Sequence, residues 1–134
     1  MNVLVDTSVW SLALRRNSAR GTPAETELIE LIREGRVLML GAIRQELLSG
    51  VRSNEQFKKL RDGLRAFSDI VLEEADYEEA ASCFNRCRAK GLQGSNTDFL
   101  ICAVAFRRNA AVLTTDDDFE RFTRVLHVNL HKPR

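Results

Sequence analysis

The chain has 134 residues, of which 44% are hydrophobic and 29% charged, with 20 Lys and Arg against 19 Asp and Glu. This composition is typical of one globular domain that needs neither disulfides nor a structural metal to fold, and we expect a single domain over residues 1–134. A net charge of +1 gives no bulk electrostatic argument for or against a nucleic-acid partner, which would have to be held by a local basic patch. The sequence shows no leader and no apolar run near the ~20 residues of a membrane helix, and we expect a cytoplasmic protein.

Short apolar runs alternate with amphipathic segments along the chain. The runs predict five strands, at residues 3–5, 37–40, 70–72, 111–113 and 125–128, the last at a sheet edge. The segments between them predict helices at residues 9–14, 23–34, 42–48, 54–67, 75–89, 97–106 and 118–122. This alternation indicates an α/β fold, a three-layer sandwich with a mostly parallel central sheet flanked by helices.

The first strand ends abruptly in a carboxylate and two hydroxyl side chains, Asp6, Thr7 and Ser8. Ligands of open α/β sheets bind beyond the carboxyl ends of the strands, so Asp6 is a candidate site residue. Asp, Thr and Ser are also preferred at helix N-termini, and they can instead cap the helix that begins near Val9. The position of Asp6 alone leaves both interpretations open.

Two further acids lie on helices, at positions unusual for solvated surface residues. The rotation of about 100° per residue places Glu46 between Ala42 and Ile43, on the inward flank of its helix. Asp98 begins the most hydrophobic segment of the chain and shares a helix face with Cys102. Its place in the first turn favours the ionised carboxylate, because the positive end of the helix dipole lies there.

The fourth predicted strand, like the first, is an apolar run followed by hydroxyl and carboxylate side chains, here Thr114, Thr115 and Asp116. The carboxyl ends of parallel strands meet at one edge of a sheet, so we expect Asp6 and Asp116 to come together there. Asp98 joins them, because helices that follow strands begin at that edge. Four converging carboxylates with no lysine among them would repel one another unless a cation neutralised them.

Oxygen ligands without His or Cys suit Mg²⁺ or Mn²⁺ and argue against zinc or copper. A divalent metal in such a site activates water for attack on a phosphodiester. Taken singly, each acid has another explanation: Asp98 and Asp118 can cap helices, Asp117 can be solvated, and Glu46 can pair with an arginine. The predicted convergence of the acids favours hydrolysis of phosphodiester bonds.

The other polar and sulfur-containing candidates have structural explanations. Three cysteines form an odd set without the spacing of a zinc site, and we expect small, buried, reduced side chains; they are Cys83, Cys87 and Cys102. His127 and His131 lie at the end of the chain and are expected to be structural or exposed. Basic residues 58, 59, 61 and 65 lie off the apolar stripe of their helix, which indicates a solvated face.

Residues 3–10, Glu46, residues 97–101 and residues 114–119 resemble, in this order and spacing, the motifs of the PIN-domain family, and within it the VapC-like toxins of type II toxin–antitoxin modules. The resemblance covers nearly the whole chain and implies an endoribonuclease that depends on Mg²⁺ or Mn²⁺. It implies that the catalytic, metal-binding acids are Asp6, Glu46, Asp98 and Asp116, with Asp118 beside them, and that Ser8 and Thr114 position ligands or water. The adjacent aspartates leave open whether Asp116 or Asp118 is the fourth acid.

The resemblance also implies an RNA substrate, a homodimer, and a cognate antitoxin whose chain fills the groove over the acids. Five arginines near the predicted edge are candidate RNA contacts: Arg15, Arg16, Arg20, Arg44 and Arg52. Two other interpretations remain open. One is a PIN-like binding module without activity, and the other is a phosphatase of the haloacid dehalogenase type, whose pattern needs a second Asp where Ser8 stands.

Overall fold

A parallel sheet of four short strands lies at the centre of the chain, which a computed structural model describes over residues 1–14 and 21–134. The strands are β1 (Val3–Val5), β2 (Val37–Leu38), β3 (Ala111–Leu113) and β4 (Asn129–Leu130), in the spatial order β2-β1-β3-β4. All three pairings are parallel, and Val5 of β1 stands opposite Leu113 of β3. Both neighbouring strands are wholly buried, as their unbroken apolar sequences predict.

Helices flank this sheet, which confirms the predicted α/β class. In the described residues they are α1 (Thr7–Leu14), α2 (Pro23–Arg33), α3 (Gly41–Leu48), α4 (Asn54–Leu64), α5 (Glu74–Ala89), α6 (Asn96–Arg107) and α7 (Asp118–Phe122). The start of α2 is capped by the Thr22 side chain, which accepts the N–H of Glu25. Its end is followed by Gly35 at φ 67°, a left-handed conformation that glycine adopts without strain.

The buried helix α6 is the main packing element beside the sheet. Its residues 99–105 are all buried, as the uninterrupted apolar segment predicts, and it packs along α5. Asp76 of α5 is fully buried and pairs with Arg107 at 2.8 Å and Arg108 at 2.7 Å. This ion pair joins the first turn of α5 to the end of α6, the helix that carries Asp98.

Two predicted strands are wrong. Residues 70–72 form no strand: a single bridge joins Asp69 to Met39, and Val71 is 86% exposed. At the end of the chain, pairing with β3 begins at residue 129 rather than 125. Leu126 and Val128 are buried by packing and not by strand pairing, and the sequence pattern does not separate these two causes of burial.

The predicted helix over residues 54–67 ends at Leu64. At this end the guanidinium of Arg44 on α3 donates to the carbonyl of Leu64 at 3.0 Å and to the carbonyl of Phe67. These bonds supply partners to carbonyls at and beyond the end of α4, where a helix leaves its last carbonyls unpaired. The apolar stripe of α4 is confirmed, and Leu64 at its end is buried.

No helix in the described part of the chain combines the length and the hydropathy needed to cross a membrane.

Candidate active site

Asp6 lies at the carboxyl edge of the sheet, directly after β1. Its N–H donates to the carbonyl of Leu113 on β3 at 2.9 Å, so the ends of the two strands are joined there. The side chain of Asp6 is 6% exposed, and its Oδ1 accepts the N–H of Thr7 at 2.8 Å. Asp6 therefore both precedes α1 and lies at the strand edge, so the two interpretations of this residue are compatible.

Two hydroxyl side chains hold the second oxygen of Asp6. Ser8 Oγ donates to Oδ2 at 2.9 Å, and Thr114 Oγ1 donates to the same atom at 2.8 Å. Each hydroxyl also accepts a backbone N–H from the segment after β3: Ser8 from Thr115 at 3.1 Å and Thr114 from Asp116 at 3.0 Å. We call Ser8 and Thr114 the hydroxyl clamp, because they join the two acid-bearing segments through Asp6.

Asp98 reaches the same edge from the first turn of α6. Its carboxylate accepts the N–H of Ser95 at 3.0 Å, and Ser95 Oγ accepts the N–H of Asp98 at 3.1 Å, which is a capping box. Burial raises the pKa of Asp98 above its ordinary value; the bonds with Ser95 act in the opposite direction, and the charges of Asp6 and Asp116 raise the pKa further. The helix-cap and site interpretations of Asp98 are therefore both compatible with the structure.

The three adjacent aspartates 116–118 have different surroundings. Asp116 Oδ1 accepts the N–H of Asp118 at 2.9 Å, and the charge of Asp116 acts on Asp98. Asp118 instead forms an ion pair with Arg121 at 2.6 Å. Asp117 is exposed, as expected of a solvated residue. These contacts favour Asp116 over Asp118 as the fourth acid.

Glu46 approaches from α3 but is exposed, not turned inward as its helical position predicted. The buried side chains of α3 are Ile43 and Leu47, so Glu46 lies at the rim of the site. Thr7 Oγ1 donates to Glu46 Oε2 at 2.9 Å. The sequence analysis missed this contact, since a spacing of 39 residues between donor and acceptor carries no local signal.

The acids of this edge differ from other buried acids in their partners. Buried Glu27 is bonded by His131 and Arg134, and buried Asp76 by two arginines. Among the described residues, no Lys, Arg or His forms an ion pair with Asp6, Glu46, Asp98 or Asp116. Such a set of oxygen donors with uncompensated charge fits a divalent hard cation.

The acidic side chains of the candidate site do not surround a single metal position in the described residues. In the described residues, no three Asp, Glu, His or Cys side chains are arranged to hold a metal as they stand. The oxygens are instead occupied by hydroxyl and backbone donors, as in Asp6 and Asp98.

The candidate RNA contacts have mixed outcomes. Arg44 makes structural contacts. Its guanidinium bonds the Leu64 carbonyl at the end of α4, and its Nε donates to Asp69 at 3.0 Å. Arg52 is exposed in the connection between α3 and α4. Arg15, Arg16 and Arg20 lie outside the described residues.

The cysteines and histidines agree with their structural interpretations. All three cysteines are free and buried, and burial raises the pKa of the Cys83 thiol to about 11. His127 is exposed and lies near Phe106, with ring centroids 6.4 Å apart, while His131 pairs with Glu27. None of these residues lies among the acids of the candidate site.

The fold and the spacing of the acids can be compared with known proteins. The chain matches the PIN domain over residues 3–125. It belongs to the PIN domain family. Among curated PIN relatives, the VapC ribonuclease Mb1587 of Mycobacterium bovis and the ribonuclease VapC11 of Mycobacterium tuberculosis are each 29% identical over 130 residues, covering 94% of this chain and 95% of the relative. The haloacid dehalogenase interpretation is therefore set aside.

Solved structures have the same fold as this PIN domain. A chain of VapBC2 from Rickettsia felis, solved with a DNA fragment from the promoter, has a TM-score of 0.78 and 20% identity over 98% of each chain. A chain of FitAcB from Neisseria gonorrhoeae has a TM-score of 0.75 and 20% identity over 96% of each chain. At this level of identity the likeness establishes the fold alone.

Proposed function

We propose that this PIN domain is an endoribonuclease that depends on Mg²⁺ or Mn²⁺ and acts as the toxin of a type II toxin–antitoxin pair. The observation that carries the proposal is the buried Asp6, which has two hydroxyl donors and a backbone N–H but no cationic partner among the described residues. A buried carboxylate without a cation is costly unless a bound ion compensates it. Membership of the PIN family and the VapC ribonucleases among its relatives support the choice of RNA.

We assign the metal-binding and catalytic roles to Asp6, Glu46, Asp98 and Asp116, and a supporting role to Asp118, which pairs with Arg121 on the same helix. When bound, a divalent cation supplies a Lewis acid that stabilises negative charge on the phosphate and promotes deprotonation of the attacking water. The chain itself orients the ligands. The hydroxyl clamp donates two hydrogen bonds to Asp6 and so holds the direction of its carboxylate, and the Ser95 capping box fixes Asp98 at the start of α6.

The partners follow from the family. An antitoxin chain that covers the acid edge would keep the nuclease inactive, and the names of the structural neighbours, which are VapBC and FitAB assemblies, support such a partner. We further propose a homodimer and a single catalytic domain over residues 1–134, as the family resemblance implies. Sedimentation of the purified chain, alone and with its antitoxin, tests both assemblies.

Cleavage of total cellular RNA tests the proposed activity. Antitoxin-free protein is incubated with RNA in Mg²⁺, Mn²⁺ or EDTA, beside Asp6→Asn and the control Asp62→Asn, which changes an exposed acid of α4. We expect cleavage only with metal, unchanged in the control and reduced by about 10²–10³ in Asp6→Asn. Absence of cleavage by folded wild-type protein that still binds Mn²⁺ would favour the binding-module interpretation. Equal cleavage by wild type and Asp6→Asn would remove Asp6 from the active site.

A further inference from the structure

Thr7 contacts two acids from different parts of the chain. Its backbone N–H donates to Asp6 Oδ1 at 2.8 Å, and its Oγ1 donates to Glu46 Oε2 at 2.9 Å. Asp6 follows β1 and Glu46 projects from α3, so Thr7 links the end of β1 to α3. Its place at the start of α1 sets the direction of both bonds.

We propose that Thr7 is a positioning residue that holds the carboxylate of Glu46 for metal binding and RNA cleavage, an inference that rests on the proposed function. Glu46 is exposed, and an exposed Glu is free to occupy many rotamers, so it loses conformational entropy when it is fixed. The hydroxyl of Thr7 fixes the carboxylate before the ion and the substrate arrive. Carboxylate ligands of metals are commonly held by such outer hydrogen bonds.

The contacts of Thr7 distinguish this role from helix capping. The carbonyl of Asp6 accepts the N–H groups of Val9 and Trp10, so the start of α1 is satisfied by Asp6. Among the described residues, Glu46 is the side-chain partner of Thr7 Oγ1. Replacement of Thr7 by Val keeps the branched shape and removes only the hydroxyl, whereas Ser keeps the hydroxyl.

The test measures Mn²⁺ affinity by calorimetry on metal-free protein, and kcat and KM for RNA cleavage. We expect Thr7→Val to weaken Mn²⁺ binding and to lower kcat by about tenfold each, with KM little changed; a tenfold loss of rate corresponds to about 1.4 kcal/mol. Thr7→Ser should restore most of both values. Thr26→Val, at an exposed threonine of α2, is the matched control and should behave as wild type.

A double-mutant cycle identifies the acid through which Thr7 acts. In the Glu46→Ala background, Thr7→Val should cause little further loss of cleavage, since the hydroxyl then has no acceptor at position 46 to hold. Unfolding curves in urea establish that each variant is folded, and Thr7→Ala, which also lacks the hydroxyl, carries the test if the Val variant is not folded.

Three results would overturn the inference: wild-type Mn²⁺ affinity in Thr7→Val, failure of Thr7→Ser to restore function, or a full tenfold loss in the Glu46→Ala background. These failures differ from failure of the proposed function. If the proposed function fails, wild-type protein shows neither Mn²⁺ binding nor metal-dependent cleavage. If only the role of Thr7 fails, wild-type protein shows both.

Discussion

Loss of the Thr114 hydroxyl should destabilise the fold, because that hydroxyl has two partners in the site. In Thr114→Val, Asp6 Oδ2 loses a donor at 2.8 Å, and the N–H of Asp116 loses its acceptor at 3.0 Å. A hydrogen bond to a charged group contributes about 1.5–3 kcal/mol. Thr114 is only partly buried, so water can replace part of the loss, and we expect a cost of about 2 kcal/mol.

Ser8→Ala removes the other half of the hydroxyl clamp and should cost less, about 1 kcal/mol. The N–H that Ser8 accepts belongs to exposed Thr115, which water can satisfy, and Ala is the better helix former within α1. Urea unfolding in EDTA measures both variants, with Thr114→Ser as the control that keeps the hydroxyl. The melting temperature should fall by roughly 4 °C per kcal/mol for a chain of this length. The reasoning would be refuted if Thr114→Val were as stable as wild type, or if Ser8→Ala lost more stability than Thr114→Val.

Three further changes test other parts of the account. Asp98→Asn should remain folded and lose about 10²–10³ in cleavage rate; unfolding with unchanged activity per folded molecule would make Asp98 structural. Asp76→Asn should cost about 3 kcal/mol at neutral pH, because it breaks a buried ion pair whose arginines stay partly exposed. The Arg108 guanidinium holds the pKa of Asp76 well below its usual range, so this stabilisation is present above the unfolded pKa of about 4 and is lost as the pH falls; a difference between wild type and variant that does not shrink in acid would contradict this assignment. Gly94→Ala should destabilise by about 1–3 kcal/mol, because the added Cβ would lie 2.7 Å from Phe122 Cζ in the core, and a melting curve like that of wild type would contradict the close approach.

The sheet and its acids could be predicted because their signals are local. The apolar run before Asp6 and the run before Thr114 each specify a buried strand that ends in polar side chains. Parallel pairing of β1 with β3 then brings the two polar ends to one edge. The sequence predicts the start of α6 at residue 97, one residue after its actual start at Asn96, and the Ser95 cap is found only in the structure.

Features that depend on contacts between distant elements could not be predicted. Residues 70–72 have the composition of a strand, but only Asp69 and Ile70 contact Met39 there, and the carbonyl of Val71 accepts from Arg108. The carbonyl at the end of α4 is bonded by Arg44, which comes from another helix. Sequence periodicity gives the face of a helix on which a residue lies, but not the neighbour that meets it.

The binding of Mn²⁺ to metal-free protein tests the central claim, that the acids at the carboxyl edge of the sheet form a divalent cation site. Calorimetric titration of wild type is compared with Asp6→Asn and with the exposed-acid control Asp62→Asn. The account predicts that wild type and control bind Mn²⁺ alike and that Asp6→Asn binds at least about tenfold more weakly. The same isotherm for wild type and Asp6→Asn, or no binding to folded wild-type protein, would contradict it.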